Sequence, residues 1–334
     1  MATTKVIVRG VGKAGRLFLK HSLELTDIEI IAIADDAAYG DINNLVYLLK
    51  YDTVHGTSNH QISALTNEIM LDGRKIRVVG YDDIPTSSVS GASIIVDFTG
   101  NLSSTTAQAL VNAGYKVIAN NFFSSNNIPV ITTANISLIT SSMDIISTNP
   151  DIESVAQVVQ QISNNFGLSN VMLTFIKSAT SAMSVDDTFV ASGTYDAGRG
   201  CFENMIVTAN RAGKQLGKVI PELNGKITGD TIRVPSVSGF IAQIDATLIS
   251  STTTDITNNI NSSIKGISSQ TLVCCDDPIS PTDTRSLFAP AFVSSKTMSI
   301  NVSNSSMIRA YVFYHPENVS VEVSTEIIRR LASL

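Results

Sequence analysis

The residues with most to offer chemically are the glycines near the N-terminus. Lys5 to Arg9 carries Val6, Ile7 and Val8, a short buried-strand run. Gly10-Val11-Gly12-Lys13-Ala14-Gly15 follows, then Arg16-Leu17-Phe18-Leu19 with helical spacing. A second β-rich run, Ile28 to Ile33, ends in Ala34-Asp35-Asp36. Strand, glycine turn, helix, strand and acid, in that order, make a dinucleotide-binding unit. Gly10 permits the tight turn, Gly12 lets a pyrophosphate approach the backbone, and Gly15 lets helix and strand pack closely. The helix N-terminus favours phosphate charge. Asp35 lies 20 residues after Gly15. A carboxylate there accepts hydrogen bonds from a ribose diol and disfavours a 2′-phosphate. A glycine turn also serves packing alone, so nucleotide binding is a separate expectation from the fold.

Nucleophiles and bases are few. Cys201, Cys274 and Cys275 are the only cysteines. Cys274 and Cys275 are adjacent, so no disulfide framework is implied, and all three read as small buried hydrophobes. His21 sits on the first helix as a surface or packing residue. His55 belongs to a Tyr-Asp-Thr-Val-His-Gly turn and is expected to hold it, while His60 and His315 read as solvated. No pair has metal-ligand spacing.

The elements that must position these residues alternate. Strand runs recur at Ile76 to Val79, Ser93 to Phe98 (closing on Thr99-Gly100), Lys116 to Ile118 and Asp144 to Ser147. This predicts a parallel α/β domain reaching about residue 148. The 334 residues are enough for two domains, and 43% hydrophobic content supplies large cores. A net charge of −6 argues against nucleic acid as the main partner. No apolar run reaches transmembrane length, and the N-terminus enters a strand pattern directly. A cytoplasmic protein without membrane attachment is expected. The Asn-x-Ser sequons at Asn301 and Asn318 read as chance in a Ser/Asn-rich chain.

Several stretches then resemble the phosphorylating glyceraldehyde-3-phosphate dehydrogenase family. Tyr47 to Gly56 (YLLKYDTVHG) is similar to its Y-x-x-x-Y-D-S-T-H-G, and Asn164 to Gly167 (NNFG) to its D-N-F-G. Gly217 to Gly229 (GKVIPELNGKITG), followed by Arg233-Val234-Pro235, is nearly the family's own run. Gly198-Arg199-Gly200 and Asp276-Asp277-Pro278 fit as well, in order along the chain. The resemblance implies a Rossmann-type doubly wound NAD-binding domain at 1–148. An α+β catalytic-type domain with a mixed or antiparallel sheet follows at 149–317. Residues 318–334 would return to the first domain through a helix at about Ser324 to Leu331. It also implies a homotetramer, with Met183 to Gly200 matching a loop that crosses a subunit interface.

Residues that the resemblance would make catalytic are different here. The family's nucleophile stands in S-C-T-T-N at a helix start. This chain reads Thr148-Asn149-Pro150-Asp151-Ile152-Glu153-Ser154, which puts Pro150 or Asp151 at the cysteine's place. Asn149 is a good cap, Pro150 suits the first helical position, and Asp151 and Glu153 oppose the helix dipole favourably. The family strand T-x-x-H-A-x-T-A-T matches Thr174 to Ala182, with Lys177 at the histidine's place. Thr180 keeps the motif's first threonine, and Ala182 replaces the second. Arg233 matches a phosphate-binding arginine, but Ala209-Asn210-Arg211 replaces the S-T-G that also binds phosphate. Tyr314-His315-Pro316-Glu317 replaces Y-D-N-E, whose asparagine holds the nicotinamide amide.

These residues define the expectations. The chain is expected to be an inactive member, or pseudoenzyme, with a structural or binding role. It would assemble as a homo-oligomer, with an active paralogue, or in a larger complex. Gly10, Gly12, Gly15, Asp35, Thr99 and Gly100 would hold the adenosine half of NAD, if NAD is retained. Arg233 and Thr180 are the remaining anion residues. The alternative is an aldehyde oxidoreductase of altered chemistry, with Lys177 forming a Schiff base. Against that stands a lysine that fills the vacated pocket and pairs with Asp151 or Glu153.

Overall fold

The computed structural model describes residues 3–84, 91–125, 127–180, 183–190, 195–249, 262, 272–287, 289, 291–296, 299–300 and 306–334. The chain divides into two compact units, Met1–Pro150 with Ser320–Leu334, and Asp151–Val319.

In the first unit the order is β1 (Thr4–Arg9), α1 (Lys13–His21), β2 (Ile28–Ala34), α2 (Asp36–Gly40), α3 (Ile42–Lys50), β3 (Tyr51–Asp52), β4 (Gly56–Thr57), β5 (Ile62–Leu65), β6 (Glu68–Leu71), β7 (Arg74–Val79), β8 (Ile94–Asp97), α4 (Ser104–Asn112), β9 (Lys116–Asn120) and β10 (Ile145–Thr148). Eight strands form one sheet in the order β10-β9-β8-β1-β2-β7-β6-β5. Strands β10 through β7 in that order run parallel, each paired with its neighbour. At the centre of the sheet β8 buries Ile94, Ile95 and Val96, apolar on both faces as helices on each side require. Val6, Ile7 and Val8 are fully buried.

The sheet is not wholly parallel, which corrects the sequence expectation. β5 and β6 add an antiparallel edge. Leu71 pairs with Arg74 across Asp72-Gly73, both at positive φ, which is a two-residue hairpin turn. Asp-Gly between short apolar runs is the signal that announces it.

In the second unit α5 (Pro150–Phe166) leads to β11 (Leu168–Lys177), β12 (Ile206–Ala209), α6 (Ala212–Val219), β13 (Ile227–Arg233), β14 (Phe240–Leu248), β15 (Leu272–Cys275), β16 (Ala291–Ser294), β17 (Ser299–Ile300) and β18 (Met307–Tyr314). The sheet order is β12-β13-β11-β14-β18-β16-β15, with β17 also on β18. It is mixed: β11 runs parallel to β13 and antiparallel to β14. Side chains alternate along β14, buried at Phe240, Ala242, Ile244, Ala246 and Leu248 and half-buried between.

The last helix, α7 (Pro316–Ala332), begins eight residues earlier than Ser324. Pro316 sits at its first position, which needs no N–H. The β-branched, serine-rich stretch Val319 to Val323 has weak helix propensity, and burial overrides it: Val319, Val321 and Val323 are all fully buried. From Ser320 onward the chain belongs to the first unit. There Arg329 donates to Asp27 at 2.8 Å, and Asn120 donates to Ser324 Oγ at 3.2 Å.

Glu322 of α7 is 8% exposed. Burial first, then the neighbouring Glu326, pushes its carboxyl up to about 7, against the opposing pull of Arg329. A carboxyl with a raised folded pKa contributes stability below its unfolded value that is lost as pH rises through the folded one. Glu322→Gln is therefore expected to match the parent near pH 4.5 and to exceed it by about 1–2 kcal/mol at pH 8, after discounting for solvent screening. Melting curves across that range check this; a stability difference that does not change with pH would contradict it.

Candidate functional site

Two clusters matter, one in each unit. In the first unit, β1 delivers the chain into the glycine turn. Gly10 has φ 88°, and a Cβ there would lie 2.7 Å from Thr99 Cγ2. A Cβ on Gly15 would lie 2.1 Å from the Gly10 carbonyl oxygen, so helix and turn touch backbone to backbone. Gly12 caps α1 and has open space where a Cβ would stand. α1 carries no acid in its first turn.

Asp35 is tied into this turn. Its Oδ2 accepts from the Val11 N–H at 3.0 Å and from the Tyr81 hydroxyl at 3.2 Å, and its Oδ1 accepts from the Ala38 N–H at 3.0 Å, capping α2. Thr99 follows β8, donating from N–H and Oγ1 to Asp97 Oδ1 at 3.2 and 2.8 Å. Gly100 follows at φ 72°. Sequence reading thus named a set, Gly10, Gly12, Gly15, Asp35, Thr99 and Gly100, that the fold gathers at the C-terminal edge of one sheet.

It missed Arg9, Asp97 and Tyr81. Arg9 Nη1 donates to Asp97 Oδ2 at 2.6 Å and to Thr99 Oγ1 at 3.3 Å. Its guanidinium carbon lies 4.1 Å from the centre of the Tyr81 ring. Arg9 and Asp97 close the apolar runs Val6 to Val8 and Ile94 to Val96, and a charge at that place was the available signal. Burial, then the Asp35 charge, pushes the Tyr81 phenol up to about 12, so it remains a donor.

The Tyr47 to Gly56 stretch braces the turn from behind. Arg16 donates to the Val11 carbonyl at 3.1 Å and to Asp52 Oδ2 at 3.1 Å. Asp52 Oδ1 accepts from the Val54 and His55 N–H groups, both at 2.9 Å. Burial raises the Asp52 pKa, but these bonds from His55, Val54 and Arg16 outweigh it and hold the carboxyl at about 2. Asp52 is thus an acceptor that organises the loop, with the His55 N–H among its donors.

In the second unit, β13, β11, β14 and β18 lie side by side. Their paired register sets Arg233, Lys177, Phe240 and Tyr314 in one row across four strands. The first turn of α5 faces this row. Pro150 opens the helix, and Asp151 and Glu153 are 8% and 1% exposed. Asp151 Oδ2 receives the Lys177 ammonium, and its Oδ1 accepts from the Tyr314 hydroxyl at 2.8 Å. Lys177 Nζ also lies 5.3 and 5.6 Å from the ring centres of Phe175 and Phe240. Phe240 and Tyr314 meet edge to face at 5.5 Å. Burial, then Asp151, pushes the Tyr314 phenol well above the ordinary value. Both oxygens of the carboxylate are therefore engaged within the fold.

The residues expected to hold an anion also make bonds within the fold. Arg233 Nη1 donates to the Ser178 carbonyl at 3.2 Å; burial pulls its pKa down while Asp151 and Tyr314 oppose that. The Thr180 carbonyl accepts from the Met183 N–H at 2.9 Å. Ala182 lies outside the described residues, as do Asn301 and part of the Met183 to Gly200 loop. Asn210 accepts from the Ala212 N–H and donates to Thr231 Oγ1, both at 2.7 Å, starting α6.

One histidine differs from expectation. His315 is 1% exposed, with Nε2 at 3.0 Å from the Pro281 carbonyl oxygen. His60 Nδ1 lies 2.7 Å from Asp72 Oδ2. His60 stays partly exposed, whereas His315 is drawn in by a sequence-distant carbonyl that no local pattern reveals. Cys201 is buried and Cys274 and Cys275 half-buried, all as free thiols. Asn318 is buried and donates to the Arg285 and Leu287 carbonyls. Among the described residues no cluster of His, Cys, Asp and Glu could hold a metal ion, and no helix is long and apolar enough to cross a membrane.

Comparison with known proteins covers both units. A family model for the NAD binding domain of glyceraldehyde 3-phosphate dehydrogenase matches residues 4–105, and one for the C-terminal domain matches residues 151–315. The chain is 28% identical over 326 residues to glyceraldehyde-3-phosphate dehydrogenase of Lactobacillus delbrueckii subsp. bulgaricus, covering 94% of this chain and 95% of that one. It is 30% identical over 253 residues to the protein of that name in Shimwellia blattae and over 252 residues to glyceraldehyde-3-phosphate dehydrogenase A of Escherichia coli K12. Each of these alignments covers 74% of both partners.

Proposed function

Because the chain belongs to the glyceraldehyde-3-phosphate dehydrogenase family, we propose that it is a non-catalytic member, a pseudoenzyme, kept for binding or structure. The observation that carries this reading is the closed Asp151–Lys177–Tyr314 cluster. Aldehyde oxidation through a thiohemiacetal needs a thiolate and a partner base. The resemblance places Pro150 or Asp151 and Lys177 at those positions, and here acid and lysine neutralise each other.

The nucleotide half stands apart from this. The glycine turn and Asp35 support retention of NAD through its adenosine end, whereas Pro316 offers no amide to a nicotinamide. Partners follow the family pattern: a homotetramer, or a mixed oligomer with an active paralogue. The second sheet supports this with a face that exposes Met172, Val207 and Met307.

Purified protein is expected to show no NAD reduction with glyceraldehyde 3-phosphate and phosphate, while sedimenting as a tetramer. Turnover that disappears on changing one residue would overturn the proposal. The rival reading, aldehyde capture by Lys177, finds that nitrogen committed to Asp151. Borohydride treatment with the aldehyde is expected to leave no adduct at Lys177.

A further inference from the structure

We propose that Tyr81 occupies the place of a ribose hydroxyl on Asp35, so that this chain's affinity for adenine nucleotides is set by exchange of that phenol for the sugar. The inference rests on the reading that the glycine turn still takes a nucleotide. It adds a residue that neither the motif nor the family comparison assigns.

The argument is a count of acceptors. An ionised carboxylate offers about four lone-pair positions. Asp35 already spends three: the Val11 N–H and Tyr81 hydroxyl on Oδ2, and the Ala38 N–H on Oδ1. A ribose diol brings two donors, so one of them must displace an occupant. Val11 is backbone within the glycine turn, and the Ala38 bond caps α2. Both are fixed by the fold. Tyr81 is a side chain on the segment after β7, and its bond is the longest of the three at 3.2 Å.

Arg9 decides how firmly the phenol stays. Its guanidinium stacks on the Tyr81 ring at 4.1 Å and is anchored by Asp97 at 2.6 Å. A cation over an aromatic face is attracted by the ring's negative face, more strongly as water is excluded. The ring is therefore held over the acid from one face and through its hydroxyl. The sugar must overcome both contacts, which lowers affinity without removing the site.

The test uses the full chain and two probes, ADP and 2′-deoxy-ADP, with binding followed by calorimetry. Tyr81→Phe keeps the ring and its stacking but frees one position on Oδ2. A hydrogen bond to a charged group is stronger than one between neutral groups, so roughly ten-fold tighter ADP binding is expected. That gain should vanish with 2′-deoxy-ADP, which lacks the second hydroxyl; a purely structural role for Tyr81 would not separate the two probes. If Tyr81→Phe binds ADP no better than a parent that does bind it, or gains equally for both probes, Tyr81 is no competitor and the nucleotide reading survives alone. If neither chain binds ADP, both are overturned.

Discussion

Lys177→Met is expected to destabilise the second unit by about 3–5 kcal/mol, because it removes the ammonium bonded to a buried carboxylate. Lys177 and Asp151 are each 8% exposed. The hydrogen bond from Tyr314 and the field of Arg233 remain, but neither replaces an ammonium bonded directly to the carboxylate. Asp151→Asn is expected to be damaging for the converse reason, since it strands the ammonium between Phe175 and Phe240. The combination Lys177→Met with Asp151→Asn is expected to recover much of the loss. Replacing both members of a buried pair is often close to neutral, whereas breaking it is not. Urea unfolding of the four proteins gives the coupling directly. Strict additivity of the two single changes would mean that the pair is not what holds this region. The expectation bears on function as well, since a cluster that stabilises the fold at the positions the resemblance would make catalytic is what the proposed non-catalytic role predicts.

Gly15→Ala is the second large effect. Alanine gains about 1 kcal/mol over glycine in a helix interior. Against this, its Cβ would stand 2.1 Å from the Gly10 carbonyl oxygen. That atom is backbone and cannot be relieved by a rotamer change. α1 must move off β1, at a cost of about 3 kcal/mol or more, and overpacking decides the sign. The same movement shifts the turn at Gly10 and the Val11 N–H that Asp35 accepts, so ADP binding is expected to fail. A contrasting substitution, Gly12→Ala, meets open space and is expected to fold like the parent. Thermal melts of the two variants separate packing from ligand approach. A Gly15→Ala protein as stable as the parent would refute the steric account.

The residues that local physics can read were legible in the chain. Glycine periodicity, a strand on each side and an acid at the second strand's end define the nucleotide turn, because a close backbone approach admits only glycine there. Asn149-Pro150 followed by two acids marks the start of α5 for an equally local reason, the unpaired N–H groups and dipole of a helix end. Lys177 opposite Asp151 was within reach because both flank a helix start and a strand end of known relation.

The remainder was decided in three dimensions. Register between β13, β11, β14 and β18 sets Arg233, Lys177, Phe240 and Tyr314 in one row, although 137 positions of chain, from 177 to 314, are spanned between two of them. Burial of Val319, Val321 and Val323 overrides weak helix propensity and starts α7 at Pro316. Tyr81 reaches Asp35 only because β7 lies beside β2 in the sheet. Composition and spacing thus determine which groups the protein owns and where its turns and helix ends fall. Pairing of distant strands determines which of those groups meet, because hydrogen-bond register and burial act on the folded sheet and leave no periodic trace in the chain.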